Sequence, residues 1–316
     1  MRVLHITNNY PTTKHPIFGI FVKEQIDSLN TLDFKNEVLF INGREKGKFE
    51  YLRSILKIRK KLKHENYDLI HCHHALSALC LIFSGKNINS KILVSFQNDP
   101  IHELGSKVFN FIKRNTNGWI FKNNSDLITD ELSFYLPNGV NTSFFKPMDK
   151  QIARKHLNLN RDAIYLLFVS SNKIRKQKRY DRFSQTVTIL KEKYKINNVQ
   201  EIKLINTSRD KIPFYFNAVD IHLLSSEFEG SPNSVKESMA CNTSVVSTNV
   251  GNVSELLKNV KGSHVSEGAS PEELAFLVDK ALRDNCQNGL ERLIELELDI
   301  DSVALKLKNI YIKLIN

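Results

Sequence analysis

Short apolar runs alternate with stretches of helical period along the whole chain, which restricts it to folds built on parallel sheets covered by helices. The runs Val3–Thr7, Glu37–Ile41, Leu69–Cys72, Ile92–Phe96 and Leu127–Thr129 form one series of expected strands. Ile164–Val169, Ile202–Ile205, Ile221–Leu224, Ser244–Ser247 and His264–Val265 form a second. Several are continuously apolar or β-branched, as strands buried on both faces must be. Between them, Phe21, Val22, Gln25, Ile26 and Leu29 share one helical face, and so do Leu52, Ile55, Leu56, Arg59 and Leu62. These strands are too many for one compact doubly wound sheet, and 316 residues exceed what a single core commonly holds. The loop Leu136–Pro147, with its Asn-Gly and two prolines, is the expected break. The reading is two α/β domains, 1–146 and 147–299, followed by a terminal helix over 300–316.

The formal net charge of +11 suits anionic partners without choosing among nucleic acid, membrane and phosphorylated substrate. Cys72, Cys80, Cys241 and Cys286 are scattered and form no C-x-x-C pair, which reads as a reduced intracellular chain without a zinc ribbon. Met1 leads directly into an expected strand rather than a signal peptide. No apolar run approaches the roughly 18–20 residues needed to span a bilayer. The expected location is cytoplasmic, in solution or at the inner face of the plasma membrane.

The segment Glu229-Gly-Ser-Pro-Asn-Ser-Val-Lys-Glu237-Ser-Met-Ala-Cys241 carries the chemistry. It follows an apolar strand, Val219–Leu224. Gly230 permits a tight turn. Ser231 is the expected cap of a helix whose first position is Pro232, with Val235 and Met239 on its buried face. The free N–H groups at such a helix start attract phosphate. Glu229 stands just before it, and Glu237 about one and a half turns inside. One carboxylate then reaches sugar hydroxyls, the other accepts from a ribose, and the helix start holds a diphosphate between them.

This pattern resembles the donor-site signature of retaining glycosyltransferase family 4, down to the following Val245-Val246 and Gly251-Asn-Val-Ser-Glu255. Other stretches agree in order: Tyr10-Pro11 through Gly19 to Gln25, Tyr67-Asp68-Leu-Ile-His71-Cys-His73-His74, and Leu136-Pro137-Asn138-Gly139-Val140-Asn141 with Phe144-Phe145-Lys-Pro147. The final helix, with Tyr311, is similar to the family helix that crosses back to the first domain. The resemblance implies a GT-B fold, two Rossmann-like doubly wound domains facing a central cleft. It also implies metal-independent, cofactor-free transfer from a UDP- or GDP-sugar, a hexosyl or N-acetylhexosaminyl donor, to a glycan or polyprenyl-linked acceptor. Glu229 would contact the transferred sugar and Glu237 the ribose. Gly230, Ser231, Pro232, Asn233 and Ser234 would line the donor site, and Gly19 would face the donor phosphates. Family habit points to polysaccharide, lipopolysaccharide or capsule assembly.

The basic stretch Asn172–Arg179 follows the strand Ile164–Val169. In the family an Arg and a Lys here neutralise the diphosphate as the sugar leaves, and Arg175 and Lys178 are the candidates. Ser170-Ser171 stand where the family has Gly-Arg. On the acceptor side, Phe96-Gln97-Asn98-Asp99 replaces His-Gly-x-Asp, and Gln97 has no basic nitrogen. His73, Gln97 and Asp99 are the acceptor-side candidates. The alternative for His73 and His74 is a buried or capping role. A metal site at His71, His73 and His74 is disfavoured, because strand residues alternate faces and no acid completes a set.

Six cations lie in Arg53–Lys63. The ordinary reading is a solvated helix face; the functional reading is in-plane contact with anionic lipid headgroups. A nucleic-acid-binding reading rests on charge alone, with no helix-turn-helix, RRM or zinc pattern. A dehydrogenase lacks its G-x-G-x-x-G. A catalytically inactive GT-B scaffold, or another GT-B nucleotide-sugar enzyme, stands as the alternative to transfer.

Overall fold

A computed structural model describes residues 1–85, 89–124, 126–170, 174–284 and 286–316. The chain divides into two compact units: Met1–Gly139 with Ile300–Asn316, and Val140–Asp299. Residues 140–146, read from sequence with the first domain, group with the second unit. Val140 N–H donates to Leu298 O at 2.9 Å, and the Asn217 amide donates to Lys146 O at 3.1 Å.

Unit 1 holds six parallel strands: β1 (Arg2–Thr7), β2 (Lys35–Phe40), β3 (Leu69–Cys72), β4 (Lys91–Phe96), β5 (Gly118–Phe121) and β6 (Ser133–Tyr135). Their order is β2-β1-β3-β4-β5-β6. Unit 2 holds five: β7 (Ile164–Val169), β8 (Val199–Leu204), β9 (Ile221–Leu224), β10 (Ser244–Thr248) and β11 (His264–Ser266), in the order β11-β10-β9-β7-β8, again parallel. Strands β3, β5, β9 and β10 are buried at every position, which only a sheet covered on both faces provides. Each sheet is doubly wound, and each reverses direction once, between β1 and β3 in unit 1 and between β7 and β9 in unit 2. Ligands of such sheets sit at the carboxyl ends of the strands flanking that reversal.

The sequence places one strand wrongly. Leu127–Thr129 is irregular, and the two strands near it are β5 and β6. Leu127 and Ile128 still pack on the unit 1 core, so their apolar character reports burial rather than extension. A Cβ on Gly118, at the start of β5, would lie 2.7 Å from a methyl of Leu314. Glycine there lets the terminal helix Ile300–Ile315 sit close to the sheet. That helix is pinned again by Tyr311, fully buried, whose hydroxyl bonds His71 Nδ1 at 2.7 Å. Strand β8 begins three residues before the expected Ile202.

The helix Phe49–His64 also departs from expectation. Its inward stripe is Tyr51, Ser54, Ile55, Ile58 and Leu62. Leu52 and Leu56, read as sharing a face with Ile55 and Leu62, are 62% and 67% exposed. The spacing 51, 54, 55, 58, 62 follows the helical period more closely than a stripe through 52 and 59, and it carries the helix's contact with the core.

All four cysteines are buried and free. Among the described residues no helix is long and apolar enough to cross a membrane.

Candidate active site

At the sheet reversal of unit 2 the loop after β7 meets the loop after β9. After β7 the chain passes through a single 3-10 turn, Lys176–Lys178. After β9 it runs through Ser225–Gly230 into the helix Asn233–Ala240. The two loops are sewn together by backbone. Glu227 N–H donates to Gln177 O at 2.8 Å, and Ser225 Oγ donates to Lys178 O at 2.9 Å. Lys178 Nζ lies 2.6 Å from Glu229 Oε1, with the two side chains 14% and 11% exposed. Ser226 Oγ donates to the same oxygen at 2.8 Å. Arg175 stands at the head of the turn, exposed, and forms no ion pair among the described residues. Ser171 and Asn172, at the start of the basic stretch, lie outside the described residues, as does Lys173.

The helix start differs from the expected cap. The helix begins at Asn233, its cap position is Pro232, and no side-chain cap hydrogen bond is made there among the described residues. Ser231 Oγ is buried and has no hydrogen-bond partner among the described residues, and the same holds for Asn233 Oδ1. Buried polar atoms in native proteins are nearly always paired, and these two stand at the helix start. Ser231 does not supply the helix cap.

Gly230 is buried, and its carbonyl accepts from Asn252 N–H at 3.2 Å. Gly251 has φ +57°, and a Cβ there would lie 2.0 Å from Gly230 O. The two loops can meet only because residue 251 has no side chain. One and a half turns into the helix, Glu237 Oε1 accepts from Arg209 at 2.7 Å, with exposures of 13% and 19%. The Arg209 guanidinium also lies over the Phe145 ring, 4.7 Å from its centroid. Below them His222 Nδ1 bonds Ser238 Oγ at 2.9 Å, and burial, reinforced by Lys178, pushes its pKa down to about 3.

In unit 1, Gly19 heads the helix Ile20–Asn30 with φ +69°, and a Cβ would lie 2.2 Å from Asn9 C. This packs the loop after β1 directly on that helix start. At the end of β3, His73 is 1% exposed, and its Nε2 bonds His5 Nδ1 at 2.9 Å. Burial first, then the charges of His5 and Lys122, hold its pKa well below the usual range. His74 caps the helix Ala75–Ser84, accepting from Leu76 N–H at 3.4 Å. Gln97 reaches between neighbours: its Nε2 donates to His73 O and its Oε1 accepts from Asn138, each at 3.4 Å. Asp99 is an exposed helix cap, accepting from the N–H groups of Ile101 and His102 at 2.8 and 3.0 Å.

Alternation puts His71 and His73, two apart along and just past β3, on one side and His74 on the other, and the third imidazole beside them is His5 from β1, which the sequence reading did not include. The three offer ring nitrogens within 4.8 Å of one another, a set that could hold a metal ion. Their nitrogens are also occupied by side chains: His5 bonds Asn36 Oδ1 at 2.9 Å and His71 bonds Ser95 Oγ at 2.8 Å, besides the bonds to His73 and Tyr311.

Two family models match, one described as Glycosyl transferases group 1 over residues 190–296 and one as Glycosyl transferase 4-like over residues 22–131. The chain is a GT-B glycosyltransferase of family 4. The first match spans the Arg209, Glu229 and Glu237 constellation of this glycosyltransferase. The second spans His73, Gln97 and Asp99. Among solved structures, sucrose-phosphate synthase from Thermosynechococcus elongatus has a TM-score of 0.79 at 15% identity, with 99% of each chain covered. The Anabaena protein HepE in complex with UDP-glucose has a TM-score of 0.70 at 12% identity, with 98% of each chain covered. The lipopolysaccharide outer core galactosyltransferase WaaB has a TM-score of 0.69 at 12% identity, with 99% of each covered. At these identities the likeness is one of fold. No curated protein sequence matches the chain.

Three residues of the glycosyltransferase's polar sites escape a reading of motifs. Arg209 opens a short 3-10 turn, Arg209–Lys211, after β8, and only its pairing with Glu237 reveals it. His5 reads as one strand residue among many. Lys122, buried at the end of β5, donates to Leu136 O at 3.0 Å, and burial pushes its pKa down to about 7.

Proposed function

We propose that this glycosyltransferase takes its sugar from a nucleotide-sugar bound on unit 2 and transfers it with retention of anomeric configuration to a glycan or polyprenyl-linked acceptor. One observation carries the reading: Glu229 and Glu237, each paired with a cation from another loop, Lys178 and Arg209, stand on the same turn-and-helix as the start at Asn233 with its two orphaned polar atoms. The helix start takes the diphosphate, Glu237 accepts from the ribose, and Glu229 accepts from the sugar. Lys178 stabilises the negative charge that builds on the diphosphate as the sugar leaves, with Arg175 as the second cation. These fixed charges do the work a divalent ion does elsewhere, so transfer is metal-independent. UDP-glucose bound to HepE, a protein of the same fold, supports a nucleotide-sugar donor. His73 is buried and hydrogen-bonded, and Gln97 has no basic nitrogen. The acceptor proton therefore goes to the departing phosphate oxygen. The product belongs to surface polysaccharide assembly in the cytoplasm, a reading that the fold of WaaB favours.

The test is a calorimetric and thermal-shift screen against UDP, GDP, CMP and their common sugars, with Glu237→Ala alongside. A ligand of the folded state raises the melting temperature. One nucleotide should do so for the native chain and fail for the variant. If no nucleotide binds folded protein, the donor-site reading is wrong and an inactive scaffold takes its place.

A further inference from the structure

Three imidazoles meet inside unit 1. His5 and His71 stand opposite each other on β1 and β3, and His73 follows two residues on, so all three rings turn to one face of the sheet. They are buried, with ring centroids 4.0 to 5.7 Å apart. The Asn36 carbonyl oxygen lies 2.9 Å from His5 Nε2 and accepts its proton, which leaves His5 Nδ1 with a bare lone pair. That lone pair points at His73 Nε2, 2.9 Å away. His71 is held by two hydroxyls, Tyr311 at 2.7 Å from Nδ1 and Ser95 at 2.8 Å from Nε2. Metal-bound imidazoles are oriented in this manner, one nitrogen on the ion and the other fixed by a hydrogen bond. Burial is the first cause of a lowered pKa in each ring, so all three are neutral at pH 7, the form that ligates.

We propose that His5, His71 and His73 bind one divalent transition-metal ion of the zinc type through His5 Nδ1, His73 Nε2 and His71 Nε2. The ion replaces the His5–His73 hydrogen bond, and the proton on His73 Nε2 passes to Nδ1 of the same ring. It takes His71 Nε2 from Ser95, while Tyr311 keeps Nδ1. Two nitrogens on one tetrahedral zinc lie about 3.3 Å apart, for bonds of about 2.0 Å, so His5 and His73 part by only a few tenths of an ångström. An all-imidazole set suits zinc, nickel or copper; magnesium and calcium want oxygen. The ion ties β1 to β3 beside Tyr311 of the terminal helix. No step of sugar transfer passes through it, so the proposal stands apart from the donor-site reading on unit 2. One charge opposes it. After burial and the neighbouring rings, Lys122 also lowers the pKa of His71 and His73, and it repels a metal ion in the same way.

The purified full chain is stripped with a chelator and titrated with zinc by calorimetry. One zinc per chain is expected, with a rise in melting temperature. Cobalt in its place should give the strong visible absorption of a four-coordinate site. His5→Gln and His73→Gln should each abolish stoichiometric uptake, whereas His64→Gln, at an exposed histidine, should leave it unchanged. Should the ligand variants fold poorly, Asn36→Ala carries the test. It keeps all three ligands and should lower zinc affinity about 10–100-fold, the range for losing the partner of a metal-bound histidine. Lys122→Met should raise the affinity. Failure of the native chain to take up one zinc, or a weak six-coordinate cobalt spectrum, overturns the proposal. So does uptake that Asn36→Ala and the ligand variants leave unchanged, since the ion would then sit on surface histidines.

Discussion

Lys178 and Glu229 are joined across two loops, the ammonium 2.6 Å from a carboxylate oxygen and both side chains largely withdrawn from water. Each is the other's counter-ion. A nucleotide-sugar would change that, since the diphosphate competes for Lys178 and the sugar hydroxyls compete for Glu229. Lys178→Ala should therefore lower kcat by about 10²–10³-fold, the range found when one preorganised donor to a developing anion is removed. Glu229→Gln should keep nucleotide binding within a few-fold while reducing turnover. Steady-state kinetics beside calorimetry with the bare nucleoside diphosphate checks both. Equal loss of nucleotide affinity in the two variants would place both residues in ground-state binding only.

The contact between Gly251 and Gly230 makes a second expectation. A methyl at 251 would meet the Gly230 carbonyl oxygen at 2.0 Å in a backbone with φ +57°. Gly251→Ala must push the two loops apart or distort φ, at a cost of about 1–3 kcal/mol. Nucleotide affinity should fall because the helix start moves. Gly47→Ala is the control: its φ is also positive, +77°, but a Cβ there meets nothing within 4 Å. Comparing the melting temperatures of the two variants separates strain from collision. Equal losses would mean that the collision is relieved without moving the loops.

Parallel α/β architecture was legible because a strand such as Leu69–Cys72 or Ile221–Leu224 is apolar at every position, and only a doubly covered sheet demands that. The turn between β9 and the helix Asn233–Ala240 was legible because Gly230 and Gly251 are conformational requirements written as residue types, though Pro232 stands at the cap and not at the first helical position. Leu127–Thr129 misled because packing on a core and pairing in a sheet call for the same side chains. The outward placement of Leu52 and Leu56 was missed because the stripe that follows the period more closely, Tyr51, Ser54, Ile55, Ile58 and Leu62, includes a serine, and a stripe through two further leucines looks more apolar. The cap at Ser231 failed for a separate reason: a hydroxyl before a helix can bond its N–H groups or turn away, and propensity does not distinguish the two. Arg209 and His5 were invisible because their partners are distant in sequence.

Arg209 holds Glu237 at 2.7 Å and rests on the Phe145 ring. The guanidinium fixes the rotamer of the carboxylate that would receive a ribose. Arg209→Ala should raise the Kd for the nucleotide by at least about ten-fold, equivalent to about 1.4 kcal/mol. Arg209→Lys should recover only part, because a lysine lacks the planar group that stacks on Phe145 while pairing with Glu237. Calorimetric titration of both variants decides it. Full rescue by lysine would show that charge alone matters there.

The buried histidines under the unit 1 site set a pH limit on the fold. Burial lowers the pKa of His5 to about 4, with the Asn36 bond opposing it, and puts His71 and His73 well below the ordinary imidazole value. Their folded pKa values lie beneath the unfolded value of about 6.5, so below that pH the unfolded chain binds more protons. Stability is then fully present above about pH 6.5 and is lost as pH falls from there toward 4. At pH 5, His5 alone removes about 2 kcal/mol, at 1.36 kcal/mol per pH unit, and His71 and His73 act in the same direction. The melting temperature should drop steeply between pH 7 and pH 5. The triple variant His5→Gln/His71→Gln/His73→Gln, though less stable at pH 7, should show a shallower slope. Parallel slopes in the native chain and the variant would assign acid sensitivity to other groups, such as His222 in unit 2, whose pKa burial lowers to about 3.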